Sequence, residues 1–221
     1  MKVTDEDSRI VADAIRAAEA RTDGEVTAIV SAQSDSYHDV ALHWSLIVAL
    51  LPLSIAAAFP WLLTSGLASL RGGWEEPSLQ IMLTVLLVAT ASLFLIARLI
   101  IGRTAVRMAL TPAATKARRV RRRAIMLFRT GTEQRTLTST GVLLYLSLAE
   151  HRAEIVADAA IHAKVDPALW GEAMTVLIAA VREDRPGEGI AAAIAKIGDV
   201  LATHFPRGDD PNELPDRLII L

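Results

Sequence analysis

The chain of 221 residues contains no cysteine. Disulfide bonds, thiolate metal sites and cysteine nucleophiles are therefore excluded. Charged residues are absent from two long stretches, Trp44–Leu70 and Ser78–Ala97. A helix needs about 20 mostly apolar residues to cross the roughly 30 Å hydrocarbon core of a bilayer. The sequence therefore predicts two transmembrane helices that form a hairpin.

The motifs of common enzyme sites are also missing. The sequence has neither a Gly-x-Ser-x-Gly elbow nor a glycine-rich loop that could hold a phosphate. No two of the five histidines are three or four residues apart, so a zinc site on one helical face is not expected. Whether the protein is an enzyme is therefore left uncertain, and a non-catalytic role is favoured.

Basic residues are distributed unevenly around the hairpin. The link between the two spans carries Arg71 as its one basic residue. The segment after the second span is rich in basic residues: Arg103, Arg107, Lys116, Arg118, Arg119, Arg121, Arg122 and Arg123. Because cytoplasmic segments carry the excess of Lys and Arg, we expect a protein of the bacterial inner membrane with both termini in the cytoplasm.

The residues on either side of the hairpin predict one α/β domain. A helix with one apolar face begins with a capping box at Thr4. The β-branched alternation of Val26–Val30 predicts a strand. The apolar run Val142–Leu148 predicts a buried strand, and Ala153–Ala157 predicts a third strand antiparallel to it.

The predicted fold class is thus α/β, with a small sheet flanked by helices and interrupted by a two-helix transmembrane hairpin. We expect residues 1–36 to be the first part of the domain, 37–103 the hairpin and 104–221 the remainder. In the remainder, Pro112 interrupts a helical pattern, and a basic juxtamembrane helix and C-terminal helices follow. The last residues, Leu218–Leu221, either cover the sheet edge or dock to another protein.

Three aspartates are candidates for a metal site. Asp35 and Asp39 are four residues apart and would share a helical face, and the sheet could bring Asp158 close to them. Carboxylate oxygens suit a hard cation, so calcium is the cofactor to consider, and a bound metal could activate water for phosphate-ester hydrolysis. The stronger interpretation is that Ser34, Asp35 or Ser36 caps the first membrane helix.

The basic run that follows Pro112 is a candidate lipid-binding segment. Its members are Lys116, Arg118, Arg119, Arg121, Arg122 and Arg123. The run lacks the interleaved aromatic residues that stack on bases, so nucleic acid is not the expected ligand. Anionic lipid is the expected ligand, provided that this helix lies along the membrane surface.

Several segments resemble the TPM-domain family, in its bacterial branch with an inserted transmembrane hairpin. The matching segments are Ala18–Val26, Thr140–Leu148, Glu150–Arg152, Ala157–Ile161 and the tail Asn212–Leu218. The resemblance implies a small sheet flanked by helices. This sequence departs from the family at Asp158-Ala-Ala-Ile161, because relatives often have a glycine-rich turn there.

The resemblance also implies a range of functions. Some relatives are described as weak acid phosphatases, some bind calcium, and others act in the maintenance or assembly of membrane complexes. We expect a membrane-anchored module that interacts with lipids and with a membrane-protein partner, and oligomerisation is left open. The alternative is a weak calcium- or magnesium-dependent acid phosphatase that uses Asp35, Asp39 and Asp158.

Overall fold

The computed structural model describes residues 3–70, 72, 77–131, 140–208 and 217–221. The helices of these residues are α1 (Asp5–Glu19), α2 (His38–Ala58), α3 (Pro60–Leu70), α4 (Leu79–Ile101), α5 (Thr104–Leu110), α6 (Ala113–Gly131), α7 (Ala159–Lys164), α8 (Gly171–Arg182) and α9 (Pro186–His204). The strands are β1 (Glu25–Ser31), β2 (Gly141–Ser147), β3 (Arg152–Ala157) and β4 (Leu218–Ile220). A 3₁₀ helix, Pro167–Trp170, precedes α8.

The chain divides into two compact units. The α/β unit comprises the described residues of 1–35 and 113–221, and the hairpin unit comprises those of 36–112. The α/β unit is therefore discontinuous in sequence, with the hairpin unit inserted after β1. The hairpin unit extends past the expected boundary at residue 103, because α5 belongs to it and the change of unit falls at Pro112.

The sheet has the strand order β3-β2-β1-β4. β1 pairs in parallel with β2, from Glu25 opposite Gly141 to Ser31 opposite Ser147, and β2 pairs antiparallel with β3. The predicted hairpin of strands and its junction with β1 are thus confirmed. β4 adds a fourth strand, parallel to β1, which decides in favour of the C-terminal residues covering their own sheet edge.

Helices cover both faces of the sheet. Successive side chains of a strand point to opposite faces of the sheet. The side chains on one face, which include Val26, Ala28 and Val30, form the main core with α1, α8 and α9. The side chains on the other face pack against α6 and include Ile29, Leu143 and Tyr145. The predicted capping box of α1 is confirmed, because Thr4 accepts from the Asp7 amide at 3.1 Å and the Thr4 amide donates back at 2.8 Å.

The hairpin unit contains two helices that are long and apolar enough to cross a membrane, α2 with 21 residues and α4 with 23. The ends that connect to the α/β unit pack together through Ala41, Ala97 and Ile101. The first charge-free stretch is not one continuous helix, since α2 ends at Ala58 and α3 starts at Pro60. A residue before proline is driven out of the helical region, which explains the break at Phe59. Arg71, on which the orientation argument rests, lies outside the described residues.

Candidate functional site

A cluster of polar side chains lies at the carboxyl ends of β1 and β2. Parallel strands bring their carboxyl ends to the same edge of a sheet, and this is where α/β folds commonly bind ligands. Glu150, in the turn between β2 and β3, is 5% exposed. Its carboxylate accepts from the Ser147 hydroxyl and, at 2.9 Å, from the Ser34 amide. The Ser34 and Tyr145 hydroxyls lie 3.0 Å apart.

This carboxyl-edge cluster determines how the chain leaves β1. The turn that carries Glu150 is tight, and His151 adopts the left-handed backbone region with φ 49°. Glu150 therefore faces back toward the strand ends, where it holds the segment that follows β1. A buried carboxylate with hydrogen-bond donors on both oxygens is a stable arrangement, whereas one without donors would be costly.

Asp35 belongs to the same edge of the sheet. Its Oδ2 atom lies 3.0 Å from a guanidinium nitrogen of Arg119, and the Arg119 side chain is 18% exposed. The expectation that Ser34, Asp35 or Ser36 caps the first membrane helix is wrong, because the N-cap is Tyr37, without a side-chain cap bond. Hydrogen bonds within the α/β unit engage Ser34 and Asp35 instead.

Asp158 lies at the opposite edge of the sheet. Its Oδ2 atom accepts from the Gly141 amide at 2.9 Å, where β2 begins, and its own amide donates to the Gly141 carbonyl at 3.0 Å. β2 has seven residues, so about 20 Å separates this edge from the carboxyl-edge cluster.

The structure separates two members of the predicted metal site. Asp35 and Asp158 are at opposite ends of β2 and are not brought together, and Asp39 lies in the first turn of α2. Among the residues that the structure describes, no group of three His, Cys, Asp or Glu side chains could hold a metal ion. Asp35 and Asp39 do not share a helical face, because α2 starts at His38 and Asp35 lies before it.

The amino ends of β1 and β2 carry a second set of buried polar groups. Glu19, which is 5% exposed, accepts from the Val26 amide at 2.9 Å. The Thr140 hydroxyl donates to the Asp23 carbonyl at 3.1 Å. Glu19 and Glu150 were not singled out as site residues from the sequence. The signal that could have found Glu150 is a charged residue in the short turn between two apolar strands.

The basic helix α6 has two distinct faces. Val120, Ala124 and Phe128 are buried against the sheet. Arg118, Arg121 and Arg122 are exposed on the other side of the helix. Because the apolar face anchors the helix, it cannot rotate, and these three guanidinium groups must face outward.

The other members of the predicted lipid-binding run are less exposed. Lys116, Arg119 and Arg123 are partly buried. Arg119 forms the ion pair with Asp35, so its charge is engaged in the carboxyl-edge cluster. The Nε atom of Arg123 is buried and has no hydrogen-bond acceptor within the described part of the chain. The structure thus divides the predicted run into an outward set and an inward set.

Glu154 on β3 is electrostatically linked to α6. It pairs with Tyr145 across the strands. Burial raises the pKa of the Glu154 carboxyl, while the positive charges of Arg121 and Arg152 act in the opposite direction. Burial is the larger of these effects, so the charged form of Glu154 is disfavoured in the folded protein.

The class of protein that these features define is an α/β domain interrupted by a two-helix hairpin. No family model matches the sequence, and no curated protein matches it. A solved structure that the chain resembles is the NMR structure of BA42 protein from the psychrophilic bacterium Bizionia argentinensis sp. nov.. The TM-score is 0.57 with 18% sequence identity, over 100% of this chain and 97% of that chain. This likeness concerns the fold alone.

Replacement of Glu150 by Ala tests the carboxyl-edge cluster. The change leaves the Ser34 amide and the Ser147 hydroxyl without their acceptor, which we expect to cost about 1–3 kcal/mol of stability. Thermal unfolding of the full-length protein in detergent, followed by circular dichroism, measures the loss. The matched control is Glu172→Ala, whose side chain is 78% exposed, and this change should stay within about 0.5 kcal/mol of the parent. Equal midpoints for the two variants would contradict the assigned role of Glu150.

Replacement of Glu154 by Gln tests the electrostatics beside α6. Below the ordinary pKa of 4.5 the carboxyl is protonated in both folded and unfolded states, so the folded state carries no penalty. As the pH rises through the raised folded-state pKa, the folded protein must ionise a half-buried group and stability is lost. We therefore expect Glu154→Gln to be more stable than the parent at pH 7, by less than about 1 kcal/mol because the group is partly solvated.

Thermal unfolding of both proteins between pH 4 and pH 8 measures this difference. The two midpoints should converge at the acid end of the range. A Gln variant that is less stable than the parent at pH 7 would show that the attraction of Arg121 and Arg152 outweighs burial. Glu172→Gln is the control for the loss of an exposed carboxylate.

Proposed function

We propose that this protein is a membrane-anchored, TPM-like module that binds anionic lipid through α6 and works with a membrane-protein partner in the maintenance or assembly of membrane complexes. The observation that carries the proposal is the outward set of arginines on α6: Arg118, Arg121 and Arg122. Their direction is imposed by the buried face of the same helix. A patch of one sign of charge attracts surfaces of the opposite sign.

The hairpin unit supports membrane anchoring. In the most apolar 18-residue window of α4 no residue is buried, and Leu87 and Leu99 are 70% and 76% exposed. Water-soluble proteins cover large apolar surfaces of this kind, whereas lipid tails solvate them. The proposed anchor consists of α2 and α4, in a bacterial inner membrane with both termini in the cytoplasm.

The position of α6 along the chain supports lipid as the ligand of its arginines. α6 starts at Ala113, soon after α4 ends at Ile101, and α5 and Pro112 lie between them in the sequence. Each basic side chain near an anionic leaflet contributes about 1 kcal/mol. The attraction decays over a Debye length of about 8 Å at physiological salt, so it requires close approach of α6 to the surface.

The alternative of a metal-dependent acid phosphatase rests on the resemblance to the TPM-domain family. The separation of Asp35 from Asp158 does not favour it. Calcium binding and phosphate-ester turnover that are both lost in Asp158→Asn would move the balance toward this alternative.

A test of lipid binding uses the absence of cysteine in the chain. A fluorophore on Ala114→Cys, at the start of α6, reports approach to lipid headgroups that carry a nitroxide quencher. The full-length protein is reconstituted in nanodiscs of phosphatidylcholine, with or without about 30% phosphatidylglycerol. We expect quenching at least about twofold stronger with the anionic lipid, because about three charges are attracted to it. High salt should abolish this difference.

The test variant carries three substitutions together, Arg118→Gln, Arg121→Gln and Arg122→Gln. Its fluorophore should be quenched equally in both types of nanodisc. The matched control neutralises three exposed arginines on other helices, Arg9, Arg16 and Arg182, and should retain the difference. Equal quenching of the parent in both nanodiscs, or an equal loss in the control, would overturn lipid binding through α6.

A further inference from the structure

The short helix α3 has no buried residue. Trp61, Leu62 and Leu70 are 63%, 43% and 85% exposed, and Phe59 just before the helix is 52% exposed. No charged residue occurs in the helix. Within its own unit only Leu63, Leu67 and Ala68 of this helix are partly buried, so the other apolar side chains must be covered by another medium or molecule.

The two long helices already account for a membrane crossing without α3. The 21 residues of α2 extend for roughly 31 Å at 1.5 Å per residue, which matches the hydrocarbon thickness of about 30 Å. Ala41 of α2 packs with Ala97 and Ile101 of α4 at the end of the hairpin where the chain enters and leaves it, which we call the open end. The closed end is the other end, where the chain passes from α2 to α4. α3 therefore follows at the closed end, after a complete span.

α3 lies beside the first turns of α4. A groove of about 400 Å³ between them is lined by Trp61, Thr64, Ser65, Ala68, Pro77 and Met82. Met82 is in the first turn of α4, so α3 is placed at the level where the span begins rather than along its length. In a membrane that α4 crosses from its first turn onward, this level is the boundary between headgroups and acyl chains.

The hydroxyl groups of α3 do not need water. The Ser65 hydroxyl donates to the Trp61 carbonyl at 2.6 Å, and the Ser69 hydroxyl donates to the Ser65 carbonyl at 2.8 Å. The Thr64 hydroxyl donates to the Trp61 carbonyl at 3.2 Å. Such bonds to the preceding turn satisfy polar side chains inside a membrane.

We propose that α3 is an interfacial helix that lies parallel to the membrane plane at the closed end of the hairpin, with lipid as the partner that covers its apolar side chains. The proposal rests on the membrane anchoring proposed above. Trp61 fits this location, because tryptophan is enriched where acyl chains meet headgroups. A helix at this position would keep the closed end of the hairpin at a fixed depth in the membrane.

Spin labels on single cysteines measure the depth of α3 in full-length protein in lipid vesicles. Labels at Leu62→Cys and Leu70→Cys mark the two ends of the helix. Leu87→Cys in α4 is the reference for the hydrocarbon core, and Thr175→Cys in α8 is the reference for water. The ratio of collisions with oxygen and with a water-soluble nickel complex gives the depth of each label.

For a helix parallel to the membrane plane, the labels at positions 62 and 70 should have equal depths, near the headgroup boundary and between the two references. The proposal is overturned if both labels resemble the label at Thr175, or both resemble the label at Leu87. It is also overturned if their depths differ by about 12 Å, the length of helix between them, because α3 would then stand along the membrane normal.

Failure of the anchoring itself gives a different result. In that case the label at Leu87 is accessible to the nickel complex, which refutes the membrane anchor and α3 as an interfacial helix together. With Leu87 confirmed as deep, the depths at positions 62 and 70 decide the location of α3 alone. Because the two ends of α3 are labelled in separate variants, misfolding of one variant would not reproduce equal intermediate depths in both.

Discussion

The parallel pairing of β1 with β2 is the interaction on which the rest of the structure depends. It joins residues 25–31 to residues 141–147 across the whole inserted hairpin unit. β4 pairs with β1, β3 pairs with β2, and the helices on both faces pack on the sheet that these strands form. A long loop makes such a pairing entropically costly. The packing of Ala41 against Ala97 and Ile101 reduces this cost, because it brings the two ends of the hairpin together.

The periodicity of the sequence predicts those parts of the fold that depend on local pattern. The alternation in β1, the apolar run of β2 and the capping box of α1 each follow from a few adjacent residues. β4 could not be decided in advance, because three residues of strand have no detectable period. The helix break at Phe59 was missed although Pro60 is a sufficient reason for it, because a run without charges indicates a membrane segment but not where a helix ends.

The candidate site shows where local pattern is insufficient. Asp35 could cap a helix or pair with a cation, and the choice depends on Arg119, which lies 84 residues further along the chain. Asp158 could approach Asp35 in the sequence-based topology, but the direction of β3 places it at the other edge of the sheet. The run from Lys116 to Arg123 looks uniform in sequence. Its division into outward and inward groups depends on which face of α6 packs on the sheet.

The acidic and basic groups of the α/β unit consequently have different roles. The carboxylates of Glu150, Asp158 and Glu19 accept hydrogen bonds from backbone amides at the ends of the strands, so they stabilise the fold. The arginines on the outer side of α6 contribute charge at the surface. This division is the physical basis for favouring an interaction module over a metal-dependent enzyme.

The central claim is that one discontinuous α/β unit is held together by β1 and β2, with the hairpin unit inserted in it. The most direct test replaces residues 36–112 by a flexible linker of about eight Gly and Ser residues, which has a root-mean-square span of roughly 16 Å. Three of the four tryptophans lie in the replaced segment, so Trp170 alone reports on the remaining unit. The account predicts a protein that is soluble without detergent and unfolds in one cooperative transition, with a buried Trp170. A protein that needs detergent, or that shows an exposed Trp170 and no cooperative transition, would contradict it.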